Sequence, residues 1–400
     1  MNINLVGAFD RNNYGDLLFP IITQSILEKI AKENKSNNNF EFNYIGVKES
    51  DMREYGGSVT KPLSYLNGQE NSITILVGGE ILGTNFMGMD LCFDNNPLYV
   101  FGMKAFNKVG GGGIINKYLK VKYNTKQNHP WIPTIDFMLK NKVIFNSVGG
   151  SKLNFNNRNL INSINSSLEY SNYFSVRDEK TYRLLETINP KTKDKVVISP
   201  DSAVIMSDIF PKEKLEKLTT SESQNYIDKN RDYIVFQVSQ KIARGREREI
   251  AKQLDLLGTL LKVGIVLLPI GRAPEHDDHK ALIEISENMT SSNFLPRHNT
   301  IYDTMSLIGN SKLYIGTSLH GAITAISYNL PHVAFTNQVT KLNEFLKTWE
   351  TTKIYSTDTN SLIKDAERLI SQPYDISKIN EKMKMQVKNN FNNIYEYICS

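Results

Sequence analysis

Short apolar runs rich in β-branched residues recur along the chain, and amphipathic stretches separate many of them. The first six runs fall at residues 3–6, 42–47, 73–77, 143–148, 173–176 and 196–198, and four more fall at 233–238, 264–268, 313–315 and 333–335. Helical spacing of apolar positions is seen at residues 17–32, 179–186, 246–262, 278–288, 301–308 and 321–328. Continuous apolar strands that alternate with amphipathic helices are typical of α/β proteins whose parallel sheets are covered on both faces.

The two groups of predicted strands indicate two α/β domains. A polar segment, 211–231, is the expected linker region between an N-terminal domain at 1–210 and a C-terminal domain at 232–373. The pattern of residues 374–400 predicts a closing helix. Residues at about 85–133 are rich in Gly, Asn and aromatic side chains, and we interpret them as an excursion from the first domain, either a flap over a cleft or a mobile surface loop.

Composition narrows the class of protein. The 400 residues carry a formal net charge of +5 without a block of Lys and Arg on one predicted face, so no nucleic-acid groove is expected. The small positive surplus suits anionic small substrates or loose contact with an anionic membrane surface. Cys92 and Cys399 have the spacing of neither a metal site nor a disulfide framework, which fits a reducing compartment. The start has no signal-peptide pattern, and no apolar run reaches about 18 residues, so we expect a cytoplasmic protein.

Residues that follow predicted strands are the candidates for chemistry, since ligands of open α/β sheets bind at the carboxyl ends of the strands. Gly7, Gly15 and Asp16 follow the first strand, where glycines admit a ligand close to the backbone and Asp16 can cap the next helix. Gly79 and Glu80 follow the third strand and form either a tight turn or the floor of a cleft. Neither loop has the glycine spacing of a dinucleotide-binding fingerprint.

Charged loops follow two later strands. Arg177 and Asp178 come directly after the fifth strand, and the planar guanidinium suits a phosphate or carboxylate ligand, or a salt bridge to a neighbouring side chain. The loop after the strand at 264–268 contains Arg272 and crowds two histidines and two aspartates together: His276, Asp277, Asp278 and His279. Two histidines three residues apart, without a third ligand at helical spacing, favour a solvated loop over a metal site.

The heptapeptide GTSLHGA at residues 316–322 places an imidazole where a strand passes into a helix. Gly316 permits a close turn, and Thr317 or Ser318 can cap the helix, so His320 falls in its first turn. The positive end of the helix dipole lowers the pKa of an imidazole and favours nearby anions. A neutral histidine in a cleft can transfer a proton near neutral pH, and we therefore interpret His320 as a catalytic residue rather than a core histidine.

Five short motifs, taken in order, make the chain resemble the polysaccharide pyruvyl transferase family: NYGD near the start, VGGE after the third strand, SVRDEK, SPDSA and GTSLHGA. The segment TNQVTKLNEFL after the fourth C-terminal strand is also similar to that family, which often places a lysine near the position of Lys341. The resemblance extends from about residue 5 to residue 350. It implies an α/β fold of two Rossmann-like domains facing a cleft, the GT-B-like arrangement, here with a C-terminal closing helix.

The resemblance also implies a reaction. The family transfers a pyruvyl group from phosphoenolpyruvate to a sugar diol, forms a ketal and releases phosphate. The expected partners are phosphoenolpyruvate and a sugar, oligosaccharide or lipid-linked glycan that belongs to a surface polysaccharide or its precursor. By the motif match, His320 takes the catalytic histidine position, Arg177 takes the donor-binding arginine position, and Lys341 is a further donor-binding candidate.

Two departures from the family pattern concern the donor. Ser318 stands where the family commonly has an arginine, and Glu80 stands where many members have a third glycine. We expect another arginine to supply the missing charge, with Arg272 and Arg297 as donor-binding candidates and Arg244 or Arg246 as alternatives.

The chemistry of ketal formation indicates roles for the remaining candidate residues. It needs an acid–base group, fixed cations and backbone donors at a helix start. The helix start makes three residues donor-binding candidates: Ser318, Leu319 and Gly321. Asp16 is a second catalytic candidate that could receive a sugar proton, and the acceptor-binding candidates are Gly15, Gly79 and Glu80. The reaction requires no metal or other cofactor, and we expect none.

Two other functions fit the same sequence. A glycosyltransferase of the same architecture would bind a nucleotide sugar, and Glu344 could then contact the ribose. A family member without turnover would bind a glycan or a partner. Loss of activity without loss of folding in His320→Ala is the expected result for a catalytic histidine.

Overall fold

The computed structural model describes residues 1–35, 39–94, 96–151, 153–274, 277–350, 356–372 and 375–400. Its strands are β1 Asn2–Val6, β2 Glu41–Gly46, β3 Ser50–Asp51, β4 Val59–Pro62, β5 Ile73–Leu76, β6 Lys142–Val148, β7 Tyr173–Val176, β8 Val196–Ile198, β9 Tyr233–Gln237, β10 Gly264–Leu267, β11 Asn293–Phe294, β12 Leu313–Gly316, β13 His332–Phe335 and β14 Ser356–Thr357.

The α-helices are α1 Tyr14–Glu33, α2 Phe86–Leu91, α3 Pro97–Phe106, α4 Gly112–Lys122, α5 Ile135–Lys140, α6 Arg158–Tyr170, α7 Glu179–Ile188, α8 Thr192–Lys195, α9 Met206–Ile209, α10 Lys212–Leu218, α11 Ser221–Lys229, α12 Gln240–Ala243, α13 Glu247–Leu261, α14 Asp278–Asn288, α15 Ile301–Gly309, α16 Leu319–Ser327, α17 Thr340–Trp349, α18 Leu362–Ser371 and α19 Ile376–Cys399. Short 3-10 turns occur at Arg53–Tyr55, Leu63–Leu66 and Ser202–Ile205, and a π-type turn occurs at Asn107–Gly111. Among the described residues, none of the helices combines the length and the apolar character that a membrane span needs.

The strands form two sheets. The first has the order β3-β4-β2-β1-β5-β6-β7-β8 and the second has the order β11-β10-β9-β12-β13-β14. The β3–β4 pairing is antiparallel, and the other pairings of the described strands are parallel. All ten strands predicted from apolar runs are present. The four additional strands, β3, β4, β11 and β14, have two to four residues each and lack a continuous apolar run.

Apolar side chains pack in three clusters, and one of them is shared by the two sheets. Because successive strand residues face opposite sides, Leu5 packs in the shared cluster while Val6 packs in a second cluster on the other face of the first sheet. Val235 likewise joins the shared cluster, and Phe236 joins a third cluster on the other face of the second sheet. The shared cluster also contains residues of α1, α15, α16 and α19, so the two sheets are joined through a continuous apolar core.

The last helix returns to the first sheet. The Tyr173 hydroxyl on β7 donates to Oδ1 of Asn390 on α19 at 2.7 Å, and Nδ2 of Asn390 donates to Oδ1 of Asn146 at 2.8 Å. The predicted closing helix is therefore present and contacts the N-terminal sheet. The proposed boundary at 373 and 374 falls outside the described residues.

The expected linker and the expected excursion both contain helices. The linker segment, 211–231, folds as α10 and α11, and the Thr220 hydroxyl between them donates to Asp303 of α15 at 2.7 Å. The excursion at about 85–133 contains α2, α3 and α4. Asn96 starts α3 by accepting a hydrogen bond from the Leu98 backbone, with Pro97 as the first helical residue, which is a strong helix-start signal within a composition typical of loops.

Candidate active site

A cleft with a volume of about 500 Å³ lies where the carboxyl ends of the two sheets face each other. The first sheet contributes the turns after β1, β5 and β7, and the second contributes the turns after β9, β10, β12 and β13. The cleft-lining side chains predicted from the sequence are Asp16, Glu80, Arg177, Ser318, His320 and Lys341. Ligands of doubly wound sheets bind at this position, so the cleft is the candidate active site.

The turn after β5 directs a carboxylate back into the cleft wall. Gly78 and Gly79 have φ values of +122° and +86°, a backbone region that glycine occupies without strain. Oε2 of Glu80 then lies 2.5 Å from Nη2 of Arg177, and its Oε1 accepts a hydrogen bond from the Ser151 hydroxyl at 2.9 Å. Burial raises the pKa of Glu80, but Arg177, Ser151 and Lys341 outweigh burial and bring that pKa below its ordinary value.

The Arg177 guanidinium is enclosed by carboxylates. Its side chain is 1% exposed, and besides Glu80 it faces Oδ2 of Asp201 at 3.4 Å and Oδ2 of Asp178 at 3.8 Å. Gly149 makes room for it, since a Cβ at that position would lie 2.6 Å from Nη2. Burial lowers the pKa of Arg177, and the three carboxylates together raise it beyond its ordinary value.

This environment favours a structural role for Arg177 over direct donor binding. A guanidinium that already faces three carboxylates has little positive charge to offer a phosphate, and releasing it would leave buried carboxylates without a counter-ion. The salt-bridge alternative considered from the sequence describes the observed geometry.

His320 approaches the same carboxylate from the second sheet. Its Nε2 lies 3.6 Å from Oδ2 of Asp201, the oxygen that also faces Arg177. Burial raises the pKa of Asp201, but His320 and Arg177 outweigh burial and lower it below its ordinary value. The imidazole and the guanidinium therefore converge on one buried carboxylate, and Asp201 stays ionised beside the ring.

The imidazole is held by close packing. Phe19 meets its ring edge-on with 5.2 Å between ring centroids. A Cβ at Gly15 would lie 1.9 Å from Nδ1, so only glycine fits beneath the ring. Gly15 thus makes room for His320 and is not among the described residues that line the cleft, so its acceptor contact remains a prediction.

The turn into α16 is fixed by a glutamine on the neighbouring strand. Oε1 of Gln237 accepts hydrogen bonds from the backbone N–H groups of Thr317 and Ser318, both at 2.8 Å. Its Nε2 donates to Oδ2 of Asp278 at 2.7 Å. Burial raises the pKa of Asp278 to about 6 despite this hydrogen bond and those from the backbone of residues 270 and 271.

Ser318 caps the start of α16, as predicted, and its neighbours Leu319 and Gly321 are buried. The Ser318 hydroxyl caps α16 by accepting from the Gly321 backbone at 3.3 Å, and Ser318 lines the cleft. Leu319 is fully buried in the shared core. A Cβ at Gly321 would lie 2.0 Å from the Tyr314 hydroxyl, so this glycine serves packing. The prediction for Leu319 and Gly321 concerned their backbone N–H groups, and the N–H of Gly321 already donates to the Ser318 hydroxyl.

Cationic side chains line the cleft on both of its sides, which we call the N-terminal rim, formed by the first domain, and the C-terminal rim, formed by the second. Lys341, at the start of α17, and Lys241, on α12, contribute from the second domain. Arg11 contributes from the first, where Oδ2 of Asp16 accepts from its Nη2 at 3.0 Å and from Nδ2 of Asn13 at 2.7 Å. Asp16 does not cap the helix as predicted, because α1 begins at Tyr14 and Asp16 lies in its first turn.

The arginines predicted to replace the family arginine lie elsewhere. Arg272 donates to Oδ1 of Asn299 at 2.8 Å and to the carbonyl of Pro296 at 3.2 Å. Arg297 and Arg244 are exposed, and Arg246 donates to the Thr359 hydroxyl at 2.8 Å. None of the four is among the described residues that line the cleft, so the donor-binding roles of Arg272 and Arg297 remain predictions that the cleft lining does not support.

Sequence reasoning did not assign Asp201, Gln237, Lys241 and Gly149. Asp201 lies within the motif SPDSA, three residues after the end of β8, so its position near a strand end was a usable signal. Gln237 is the last residue of β9, and its role depends on the neighbouring strand β12.

Metal and ribose contacts were the remaining sequence-based alternatives. Within the described ranges, no group of three or more His, Cys, Asp and Glu side chains is arranged to hold a metal ion. His276, from the His- and Asp-rich loop, lies outside the described residues. Glu344, the candidate ribose ligand of a glycosyltransferase, lies 3.3 Å from Lys347 and is not part of the described cleft wall.

Comparison with known proteins identifies the family of the chain from its sequence and the fold from its structure. A family model described as polysaccharide pyruvyl transferase matches residues 13–339. No curated protein matches the chain.

The chain is similar in structure to UDP-GlcNAc 2-epimerase of Neisseria meningitidis bound to UDP-GlcNAc, with a TM-score of 0.55, 13% identity and 100% of both chains covered. The UDP-GlcNAc 2-epimerase of Methanocaldococcus jannaschii gives 0.53 at 14% identity over 96% of this chain and 98% of that one. The S. aureus MnaA–UDP structure gives 0.55 at 11% identity over 99% and 95%. At these identities the likeness shows the fold alone, which is GT-B-like as predicted.

Proposed function

The chain belongs to the polysaccharide pyruvyl transferase family, and we propose from this premise that it transfers the pyruvyl group of phosphoenolpyruvate to two hydroxyls of one sugar. The product is a ketal on a surface polysaccharide or its precursor. The observation that carries the proposal is the position of His320, which lines the cleft with its Nε2 3.6 Å from the buried Asp201 carboxylate.

The reaction moves two protons. One proton adds to the methylene carbon of the enol, which becomes a methyl group, and the adjacent carbon gains oxocarbenium character. One sugar hydroxyl attacks that carbon and loses its proton, phosphate leaves, and the second hydroxyl closes the ketal. Of the two hydroxyl protons, one balances the proton added to the methylene group and the other departs with phosphate.

His320 is the group proposed to carry these protons. An imidazole exchanges protons readily near neutral pH, and a carboxylate beside it stabilises the protonated ring. Asp201 supplies that carboxylate, and Arg177 keeps Asp201 ionised by facing the same oxygen at 3.4 Å. In this proposal Asp201 and Arg177 are positioning residues, since they act on the substrate through His320.

The donor carries phosphate and carboxylate groups, so its site needs positive charge. We assign this role to Lys341 and Lys241, which line the cleft. The start of α16 adds backbone N–H groups and the positive end of a nine-residue helix. Ser318 lies at that start in place of the family arginine, and the two lysines are proposed to replace the charge that this arginine would supply.

The acceptor is proposed to lie against the first domain. Gly79, Glu80 and Asp16 line that side of the cleft, where the carboxylates can accept hydrogen bonds from sugar hydroxyls. Asp16 has its Oδ2 occupied by Arg11 and Asn13. It is therefore proposed to orient the acceptor, while proton transfer stays with His320.

The test is release of phosphate from phosphoenolpyruvate in the presence of lipid-linked and nucleotide-linked sugars, with mass spectrometry of the product. We expect phosphate release and a pyruvylated sugar in equal amounts. His320→Gln should lower the rate by about 10²- to 10⁴-fold, the usual contribution of general acid–base catalysis.

Calorimetry with phosphoenolpyruvate measures donor binding independently of turnover. Absence of both donor binding and phosphate release would contradict the proposal. Stabilisation by UDP-sugars without a response to phosphoenolpyruvate would favour the glycosyltransferase alternative.

A further inference from the structure

Two helices beside the cleft expose apolar side chains to solvent. These are α3 and α4, which join through a turn where Gly110 has a φ of +93°; we call residues 97–122 the lysine-rich hairpin. No side chain of α3 is buried. Leu98, Phe101 and Val121 are 81%, 73% and 80% exposed. Monomeric proteins rarely expose contiguous apolar surface of this kind without a binding function.

The exposed residues follow helical spacing. Leu98, Phe101 and Ala105 lie on one face of α3, and Ile114, Tyr118 and Val121 lie on one face of α4. A neighbouring face of α4 is already occupied, because Ile115 and Leu119 pack in the cluster of the first sheet. An ordinary surface helix places polar residues on its outer face. Here α4 has a buried apolar face and a second, outward apolar face.

The charged side chains of the lysine-rich hairpin are all positive. Residues 95–135 contain no Asp or Glu and six lysines: Lys104, Lys108, Lys117, Lys120, Lys122 and Lys126. The formal net charge of the whole chain is only +5, so its positive surplus is concentrated here. Apolar side chains interleaved with lysines match the interface of an anionic bilayer, where apolar groups enter the acyl boundary and lysines meet lipid phosphates.

The hairpin is anchored close to the active site. Oδ2 of Asp90 on α2 accepts from the Tyr99 hydroxyl of α3 at 2.5 Å, and its Oδ1 accepts from Lys122 and Tyr123 at the end of α4. Gly88 and Met89, which precede Asp90 on the same helix, line the cleft. Whatever binds the hairpin is therefore held beside the cleft.

We propose that the lysine-rich hairpin docks on the surface of an anionic phospholipid membrane. A second copy of the chain fits this surface poorly, because symmetric contact would bring the lysines of both copies together. Docking would present the cleft to acceptors held at the bilayer surface. If the proposed function is correct, the acceptor is then a lipid-linked glycan precursor.

The experiment is co-sedimentation of the full chain with vesicles of equal parts phosphatidylglycerol and phosphatidylcholine, compared with pure phosphatidylcholine. We expect binding to the anionic vesicles that weakens with added salt. The double variant Leu98→Ser with Phe101→Ser should lose about tenfold or more in partitioning. Lys108→Gln with Lys117→Gln should lose about fivefold for each lysine.

The matched control is Leu256→Ser with Leu260→Ser on the exposed face of α13, where the leucines are 41% and 62% exposed. It should bind vesicles like the wild type, and all three variants should unfold at the wild-type urea midpoint. The inference is overturned if the wild type does not bind anionic vesicles or if the control loses as much binding as the hairpin variants. It is also overturned if the hairpin variants change the oligomeric state instead of vesicle binding.

Vesicle binding needs neither phosphoenolpyruvate nor an acceptor. Its failure and the failure of the proposed reaction are therefore separate results. Phosphate release with a water-soluble acceptor should be the same in the hairpin variants and the wild type.

Discussion

The two rims of the cleft use charge in different ways. On the N-terminal rim, the Arg177 guanidinium faces three carboxylates, those of Glu80, Asp178 and Asp201, so its positive charge is directed toward the protein's own anions. On the C-terminal rim, His320 and Lys341 line the cleft beside a helix start. The guanidinium of the N-terminal rim is thus surrounded by carboxylates, whereas the C-terminal rim brings a helix start to the cleft wall.

This difference suggests that one rim holds side chains in place and the other contacts the substrate. A buried ion network is costly to desolvate and is stable only when all of its partners are present, so it suits holding groups in place. Asp201 connects the rims because the same oxygen faces Arg177 and His320. We infer that the N-terminal rim fixes the histidine and that the C-terminal rim meets the donor.

The largest expected effect is on the N-terminal rim, in Arg177→Met. Loss of the guanidinium leaves buried carboxylates without their counter-ion, and the free energy of unfolding should fall by about 3–5 kcal/mol. Arg183→Met is the matched control, because Arg183 is 70% exposed and pairs with Glu179 on the surface of α7. Urea unfolding should shift by less than about 0.5 kcal/mol in the control. Equal small shifts in both variants would show that the network does not stabilise the fold.

A smaller effect concerns Asp278 on the C-terminal rim. Burial raises its pKa from 3.8 to about 6 in the folded chain, so the folded state keeps this proton to a higher pH than the unfolded state. As pH rises from about 4 to about 6, the unfolded state releases the proton first, and the folded state loses stability relative to it. Asp278→Asn removes this penalty and should be more stable than the wild type by about 2–3 kcal/mol at pH 8, with little difference below pH 4.

The measurement is urea unfolding of both proteins across that pH range. Asp136→Asn serves as the control, because the Asp136 side chain is 77% exposed and its unfolding free energy should change by less than about 0.5 kcal/mol. A difference between Asp278→Asn and the wild type that does not grow with pH would contradict the predicted burial effect.

The smallest predicted effect is on donor affinity in Lys341→Met. Loss of one charge-assisted contact to the donor should raise KM for phosphoenolpyruvate about tenfold and leave kcat within about threefold. Lys347→Met on the same helix is the control, since Lys347 is 63% exposed and lies 3.3 Å from Glu344. An unchanged KM in Lys341→Met would remove Lys341 from the proposed donor site.

The two sheets and the positions of two important side chains could be predicted from the sequence, and there are physical reasons for this. Strands buried on both faces form continuous apolar runs, which is why all ten strands predicted from such runs were found. His320 and Arg177 could be identified from the sequence because Arg177 directly follows a strand and His320 lies at the start of the next helix. Strand ends of an α/β sheet define its ligand site.

The partners of these side chains could not be predicted in the same way. Asp201, Glu80 and Arg177 come from three different strand ends, so their contacts depend on strand order. Arg272 follows a strand end as Arg177 does, yet its side chain turns to Asn299 and Pro296. Side-chain direction in such loops is set by tertiary packing, which the local pattern does not contain.

The most direct test of the division between the rims is steady-state kinetics of Asp201→Asn with phosphoenolpyruvate as the varied substrate. Asparagine keeps the volume of Asp201 and removes the charge between Arg177 and His320. We expect kcat to fall by about 10²-fold or more while KM for phosphoenolpyruvate stays within about threefold, with circular dichroism confirming a folded protein. A large rise in KM with an unchanged kcat would show that the N-terminal network binds the donor itself and would contradict the account.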